Sequence, residues 1–238
     1  MITANYYALL ALLLTGMALS VWLKKLTIYA AITGGVCAFM VYQGAGYAGI
    51  AAMAVFFVIG TVATGWKNKE KQQLKAAENN GGKRKASQVL ANAGVAALAG
   101  ILSLCITAHG NLWALLIAAS FSAATADTLA SELGTVYGKR FYNILTLKPD
   151  ERGLDGVISI EGTFIGLMGS ALIAIIHTIA YGLSWQLGAI IIAGTIGNIT
   201  DSVLGAALER KGWLQNDAVN FLNTLTATLV AALMYIVA

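Results

Sequence analysis

Runs of roughly 16–21 apolar residues recur along the whole chain, and each is long enough to cross a hydrocarbon core about 30 Å thick. The spacing predicts helices at about 5–23, 26–43, 47–65, 88–108, 111–126, 163–181, 184–204 and 218–237. The expected architecture is an all-α, polytopic transmembrane bundle of about eight helices. Of the 238 residues, 58% are apolar and 11% charged, against about 25% charge in an ordinary soluble domain. No stretch is polar enough for a separate soluble domain. Residues 1–238 therefore read as one integral membrane domain: generic helices over 1–65, a basic loop over 66–87 and a candidate catalytic core over 88–238. The first run has no basic residues before it and Lys24 and Lys25 after it, so it reads as a retained helix rather than a signal peptide.

Eight crossings place the connections alternately on two faces. All 15 Lys and Arg residues then fall on one face, and the links Gln43–Gly46, Ala108–Asn111 and Tyr181–Ser184 on the other carry none. The excess of basic residues marks the cytoplasmic side. Both termini are then expected outside, with the active site facing the cytoplasm of a cell (inner) membrane. The 11 acidic residues lie on the same face or in helices near it. Carboxylates near hydrocarbon are costly and mark functional positions. The net charge of +4 sits at membrane edges, which points to anionic lipid or a phosphorylated substrate and not to nucleic acid. Cys37 and Cys105 lie within apolar runs and read as inert thiols.

Five stretches carry chemistry. Lys67 to Lys85 reads KNKEKQQLKAAENNGGKRK, with a break at Asn79-Asn80-Gly81-Gly82. It is expected to set topology, so that Lys71→Ala should matter little; the sharper reading is a flap over a phosphate-bearing substrate. The helix that follows carries Gln88 and Asn92 on one face, either bonding across helices or lining the substrate. In the second stretch Asp127 ends an apolar run. If the helix continues, Ser131 and Gly134 share its side, and Asp127 needs a metal or an ion-pair partner such as Lys139 or Arg140. In the third, Ser159, Glu161, Gly162 and Thr163 precede or open a helix whose free N–H groups suit phosphate, unless Ser159 or Thr163 simply caps it. Gly162, Gly166 and Gly169 suit close helix packing. In the fourth, Asn198, Asp201 and Ser202 form a polar helix face inside an apolar run, weakly repeating the second stretch. In the fifth, Asn216, Asn220 and Asn223, with Asp217 beside them, make one polar side of the last helix. His109 and His177 lie away from these groups and are not expected to be chemical. Asp127, Asp201 and Asp217 are thus three carboxylates on separate helices, a donor type that suits Mg²⁺ together with substrate phosphates.

The segments Asp127-Thr128-Leu129-Ala130-Ser131-Glu132-Leu133-Gly134, Gly138-Lys139-Arg140, Ser159-Ile160-Glu161-Gly162-Thr163 and Asn216-Asp217-Ala218-Val219-Asn220-Phe221-Leu222-Asn223 resemble a membrane-protein family that includes plant phytyl-phosphate kinase. The likeness covers most of the chain from about Gln88 onward. More distantly, Ser159-Ile160-Glu161-Gly162 and Gly197-Asn198-Ile199-Thr200-Asp201-Ser202 are similar to elements of phytol kinases, dolichol kinases and CDP-diacylglycerol synthase, with Ser and Ile in place of Lys and Thr, Asn for Asp and Asp for Glu. The resemblance implies a kinase that uses CTP and Mg²⁺ to convert a prenyl monophosphate to the diphosphate. It implies Asp127, Asp201 and Asp217 as metal ligands, and Lys139, Arg140 and Arg152 as phosphate-binding groups. It further implies nucleotide contacts by Ser159 and Glu161, with Gly134, Gly138, Gly162, Thr163, Asn198, Ser202, Asn220 and Asn223 around them. Two alternatives stay open: a CTP-dependent cytidylyltransferase on a lipid phosphate, and a transporter or flippase of a phosphorylated lipid. A homo-oligomer is compatible with either.

Overall fold

The computed structural model describes residues 2–73, 83–107 and 110–238. Lys75, the Asn79–Gly82 break and His109 lie outside the described residues. Among the described residues there are eight helices: α1 (Ile2–Trp22), α2 (Ile28–Gly65), α3 (Asn68–Gln73), α4 (Ala86–Cys105), α5 (Gly110–Tyr137), α6 (Ile160–Tyr181), α7 (Gln186–Leu204) and α8 (Asn216–Val237). A short hairpin of β1 (Tyr142–Asn143) and β2 (Val157–Ile158) lies between α5 and α6. Six of the described helices are long and apolar enough to cross a membrane. The chain is an all-α membrane bundle.

Helix α2 is two arms. Gly46 has φ 54° and ψ −146°, a conformation that glycine adopts without steric cost. A straight helix of 38 residues would be about 57 Å long. Instead Phe57 of the second arm packs on Leu26, Ala30 and Ala31 at the start of the first, so the chain reverses at Gly46. The expected helices at 26–43 and 47–65 are these arms. With α1, α4, α5, α6, α7 and α8 they make up the eight apolar arms read from the sequence.

Helix α5 is the hub, packed against α2, α4, α6, α7 and α8, and 83% of its apolar window is buried. Small residues permit this crowding. A Cβ on Gly134 of α5 would sit 2.7 Å from Gly162 Cα of α6, and one on Gly166 would sit 3.0 Å from Ala126 O. The glycines at 162, 166 and 169 therefore serve close packing, as expected, by letting backbones meet without side chains between them. Mid-bundle, Leu115, Ile117, Phe121, Ile173 and Ile190 are at most 1% exposed.

Two ends of the bundle differ in chemistry. At one, Tyr181 Oη donates to Ala45 O at 2.9 Å and Trp185 lies against Tyr235. Tyr6 near the N-terminus meets Tyr42, so both termini lie toward this end. At the other, Arg84 N–H donates to Lys25 O at 2.9 Å, Trp66 Nε1 donates to Tyr137 Oη, and Arg210 pairs with Asp150. The described Lys and Arg residues gather at this second end.

Three boundaries correct the sequence reading. Helix α5 does not stop at 126 but continues to Tyr137, because Thr128 to Tyr137 holds no helix breaker apart from the packed Gly134. Helix α6 opens at Ile160, where Ser159 Oγ accepts from Gly162 N–H at 3.0 Å. Helix α7 runs on through one π turn, Gly205–Glu209, and such turns recur at functional sites.

Candidate active site

The five polar stretches converge. At the charged end of the bundle a cavity of about 910 Å³ is walled by the ends of α5, α6, α7 and α8, with α3 and the start of α4 on one side. The loop from Phe141 to Ile158 roofs it. Because α5 continues past 126, Asp127, Ser131 and Gly134 all face this cavity, at the i, i+4 and i+7 spacing the sequence offered.

The Asp127 and Asp201 carboxyl groups lie within hydrogen-bonding reach of each other, with Glu209 and Asp155 close by. Asp201 Oδ2 is buried and without a partner. Asn223 sits next to it, fully buried, and both its amide atoms are also without partners. Gly197 makes this possible, since a Cβ there would lie 2.7 Å from Asn223 Oδ1. Asn198 is buried on the same face of α7, and Ser202 Oγ donates to its carbonyl at 3.3 Å. Asp217 lines the same cavity from α8. Among the described residues, however, no three His, Cys, Asp or Glu side chains are grouped closely enough to hold one metal ion. The structure assembles a carboxylate pair, with the third carboxylate apart.

The polar face of α8 divides among three surroundings. Asn216 faces the main cavity, Asn220 faces a side chamber of about 90 Å³, and Asn223 lies beneath Asp201. Gln88 and Asn92 of α4 line that side chamber. From α6, Ser159, Gly162 and Thr163 line the main cavity. Ser159 also caps α6, so the structural and functional readings of this residue hold together.

The cationic residues depart from expectation. Lys139 and Arg140 are exposed on the turn after α5 and are not part of the cavity wall. The Lys139 backbone N–H donates to Glu161 at 3.4 Å, and Glu161 too lies outside the lining. Arg152 Nη2 donates to Val136 O and its guanidinium stacks on Phe141, again outside the lining. Gly138 packs against Phe141 and Ser159 rather than facing the cavity. Among the described residues, the cations that do line it are Lys71 and Lys85.

Lys71 overturns the expectation for the basic loop. It is 1% exposed. Its Nζ donates to Ala63 O at 3.1 Å, Thr64 O at 2.8 Å and Glu132 Oε2 at 2.5 Å. It thus closes the C-terminal end of α2 and ties α3 to α5. Nothing in a segment holding Lys67, Lys69, Lys71 and Lys75 marked one lysine from the rest. The only cue was the helix-forming composition around it.

The roof is latched to α7. Arg210 Nη1 pairs with Asp150 Oδ2 at 2.8 Å, and Arg210 Nε donates to Asp155 O at 2.5 Å. The Asn143 amide, the Glu151 N–H and Arg210 hold the Asp150 carboxyl below the usual carboxylate range. Burial pushes Asp155 up, and Arg210 partly offsets this. Gly156, at φ 69°, lies against the π turn, where a Cβ would collide with Ala206.

Charge sets what this cavity accepts. Among the described residues, six carboxylates line it (Asp127, Glu132, Asp155, Asp201, Glu209 and Asp217) against the two lysines. A bare anion would be repelled, whereas an anion arriving with a cation would find oxygen donors for the cation and helix N-termini for itself.

The profile of the family described as "Integral membrane protein DUF92" matches residues 10–228. Protein VTE6, chloroplastic, of Arabidopsis thaliana is 33% identical over 202 residues, covering 82% of this chain and 61% of that protein. This chain therefore spans about three fifths of the length of that relative. Uncharacterized membrane protein sll0875 of Synechocystis is 34% identical over 198 residues, 81% of this chain and 76% of the relative. Uncharacterized membrane protein MJ0933 of Methanocaldococcus jannaschii is 31% identical over 205 residues, 86% and 83% respectively. No solved structure matches the chain significantly. By profile and relatives together, the chain belongs to the DUF92 family of integral membrane proteins.

Proposed function

We propose that the chain is a membrane kinase that transfers the terminal phosphoryl group of CTP to a prenyl monophosphate, giving the diphosphate and CDP. The observation that carries this reading is the convergence of five separate polar stretches on one acid-rich cavity at the charged end of a membrane bundle. Similarity to VTE6 and the resemblance to the family that includes plant phytyl-phosphate kinase support the same reading. A volume of about 910 Å³ is at the upper end of ordinary small-molecule sites, and suits a nucleotide together with a second phosphate. The crowding of Lys and Arg at this end supports a cytoplasmic site, where soluble nucleotide would meet a lipid held by its chain among the helices.

The donor set fits Mg²⁺. Asp127 and Asp201 offer adjacent carboxylates, and the unpartnered Asp201 Oδ2 and Asn223 amide are hard donors of the kind this ion takes, with substrate phosphates as its other ligands. When bound there, Mg²⁺ would neutralise phosphate charge. No protein nucleophile is needed. An oxygen of the prenyl phosphate bonds to the terminal phosphorus of CTP, and the electron pair of the broken P–O bond leaves with CDP. Lys85 stabilises the charge that develops on the transferring group. It takes the part that the resemblance implied for Lys139, Arg140 and Arg152, while Lys71 is held by Glu132 and two carbonyls. The positive end of the α6 dipole, whose first turn brings Gly162 and Thr163 to the cavity wall, favours the nucleotide phosphates. Positioning supplies much of the rate.

The transport alternative finds less support. Leu115, Ile117, Phe121, Ile173 and Ile190 belong to one buried apolar core of the bundle, which offers a polar solute no partners. The experiment supplies purified full-length chain with CTP, Mg²⁺ and a prenyl monophosphate, and identifies the products. CDP with prenyl diphosphate upholds the proposal. Pyrophosphate with a cytidylylated lipid makes the chain a cytidylyltransferase. No consumption of either substrate refutes both enzyme readings.

A further inference from the structure

The wall of the main cavity reaches the flank of the bundle. On α7, Ile192, Ile196 and Ile199 are 48%, 36% and 45% exposed, and their i, i+4, i+7 spacing puts them in one stripe down the outside of the helix. Ile199, nearest the charged end, is also part of the cavity wall. On α6, Ile160, Thr163 and Leu167 form a similar exposed stripe at i, i+3 and i+7, and Thr163 is also part of that wall. A side chain belongs to both surfaces only at an edge, so the cavity opens sideways between these two helices. The wall descends from Ser202 through Ile199 to Thr195, about 10 Å along α7 toward the middle of the bundle. We propose that this cleft is the portal through which the hydrocarbon chain of a lipid monophosphate passes from the cavity into the bilayer, with the phosphate held inside. The identity of that headgroup rests on the kinase reading above.

The chemistry of the cleft suits a hydrocarbon. Helix α7 carries no Asp, Glu, Lys or Arg before Asp201, and α6 none after Glu161. The hydroxyls along the cleft are turned back on their own helices. Thr163 Oγ1 donates to Ser159 O at 3.0 Å, Thr195 Oγ1 to Ile191 O at 2.8 Å and Ser202 Oγ to Asn198 O at 3.3 Å. With its donor satisfied by a helix carbonyl, each threonine leaves its methyl group for an apolar neighbour. On the inner side of the cleft the two helices touch. A Cβ on Gly166 would sit 2.7 Å from Asn198 Nδ2, and one on Gly194 would sit 2.6 Å from Ser170 Oγ. A chain leaving the cavity is therefore kept out of the bundle core and lies in the cleft with one side toward lipid.

A different part of the rim suits water. Lys85, Ser87, Ser131, Gln215 and Asn216 line the cavity and are exposed, and all five are polar. The two openings sort the two substrates: the nucleotide enters by the polar rim and the acceptor by the apolar cleft. Each methylene that the cleft covers adds to affinity, whereas a short-chained phosphate gains only its headgroup contacts. The α6–α7 cleft is then the element that makes the protein prefer long chains to short ones.

The test uses the full-length chain in phosphatidylcholine nanodiscs. The first probe is geranylgeranyl monophosphate with a photoreactive diazirine midway along its chain, added without nucleotide and competed by the unmodified compound. Label should map to α6 near Leu167 and to α7 near Thr195. Label confined to other helices overturns the proposal, whatever the variants do. The variants Thr195→Trp and Ile199→Trp fill the cleft, and Ile196→Trp, exposed on the same helix but outside the cavity wall, is the control. In turnover assays the two cleft variants should raise KM for geranylgeranyl monophosphate about tenfold or more, the loss expected from uncovering about two methylenes. KM for CTP and for the short dimethylallyl monophosphate should stay within about twofold of the parent, and the control should match the parent throughout. Folded cleft variants that keep the parent's KM for the long chain, or that impair long and short chains equally, overturn the proposal. An Ile199→Cys protein that forms disulfide-linked dimers beyond those of the parent assigns this flank to a second copy and also overturns it. If the probe labels the cleft and is competed, yet CTP is not consumed, the portal stands and the kinase reading falls.

Discussion

Replacing Lys71 by Met should destabilise the bundle by about 2–4 kcal/mol. The apolar stem keeps its packing, so the loss is electrostatic. Three hydrogen bonds from Nζ disappear. Ala63 O keeps a partner, because Trp66 N–H also donates to it at 3.1 Å. Thr64 O and the Glu132 carboxylate lose theirs. Removing one partner of a fully buried ion pair costs about 3–5 kcal/mol. Glu132 retains 20% side-chain exposure toward the cavity, so water recovers part of that cost, and a lost carbonyl bond adds about 1 kcal/mol. Glu132→Gln leaves an amide oxygen to accept from Lys71, and should cost less. The double variant should therefore cost less than the two single changes summed, with a coupling of about 1–3 kcal/mol. The assay is equilibrium unfolding in mixed detergent, read by circular dichroism, for the parent and three variants. A Lys71→Met protein within about 0.5 kcal/mol of the parent, or additive single changes, would refute the structural role assigned to this pair.

Asp201→Asn and Asp127→Asn should each lower turnover at least about 100-fold, with helical content unchanged, and chelating divalent cations should abolish turnover in the parent; full activity in either variant removes that residue from the centre. Lys139→Ala should keep activity within about threefold of the parent, whereas Lys85→Ala should lower kcat/KM about tenfold or more, as steady-state kinetics will show. Gly156→Val combines a positive φ with a collision at Ala206; it should open the roof, seen as faster proteolysis within 141–158 and lost turnover. The roof latch should respond to acid in one direction. Because the folded Asp150 carboxyl is held below its ordinary value, its stabilising contribution is present above the unfolded carboxylate pKa of about 3.9 and is lost as pH falls through the lower, folded value. Proteolysis of the roof should therefore rise as pH falls below about 4, and Asp150→Asn should show the faster rate above that range and converge with the parent below it.

Much of the fold was legible because membrane crossing is a local property. The length of an apolar run against the thickness of the hydrocarbon core decides each helix, and Gly46, at a positive φ, marks the reversal within α2. The candidate carboxylates were legible for a related reason. An ionisable group inside an apolar run is costly enough that Asp127 and Asp201 stood out unaided. Their neighbours in space did not. The reach of α5 past Asp127 shows only in the packing of α6 along its far end, and Asn223 lies beside Asp201 only because Gly197 leaves it room.

The cations show the divide most clearly. Which face they occupy follows from counting crossings along the sequence, and that count needs no tertiary information. Which of them enter the cavity does not follow. Lys139, Arg140 and Arg152 lie nearest the acidic motifs in sequence, yet the turn after α5 leaves Lys139 and Arg140 exposed and Arg152 on Phe141, while α3 folds back and buries Lys71 against Glu132. A lysine's place in a basic segment is degenerate with its neighbours', and only the packing of α3 against α2 and α5, with carbonyls and a carboxylate converging on one ammonium, breaks that degeneracy.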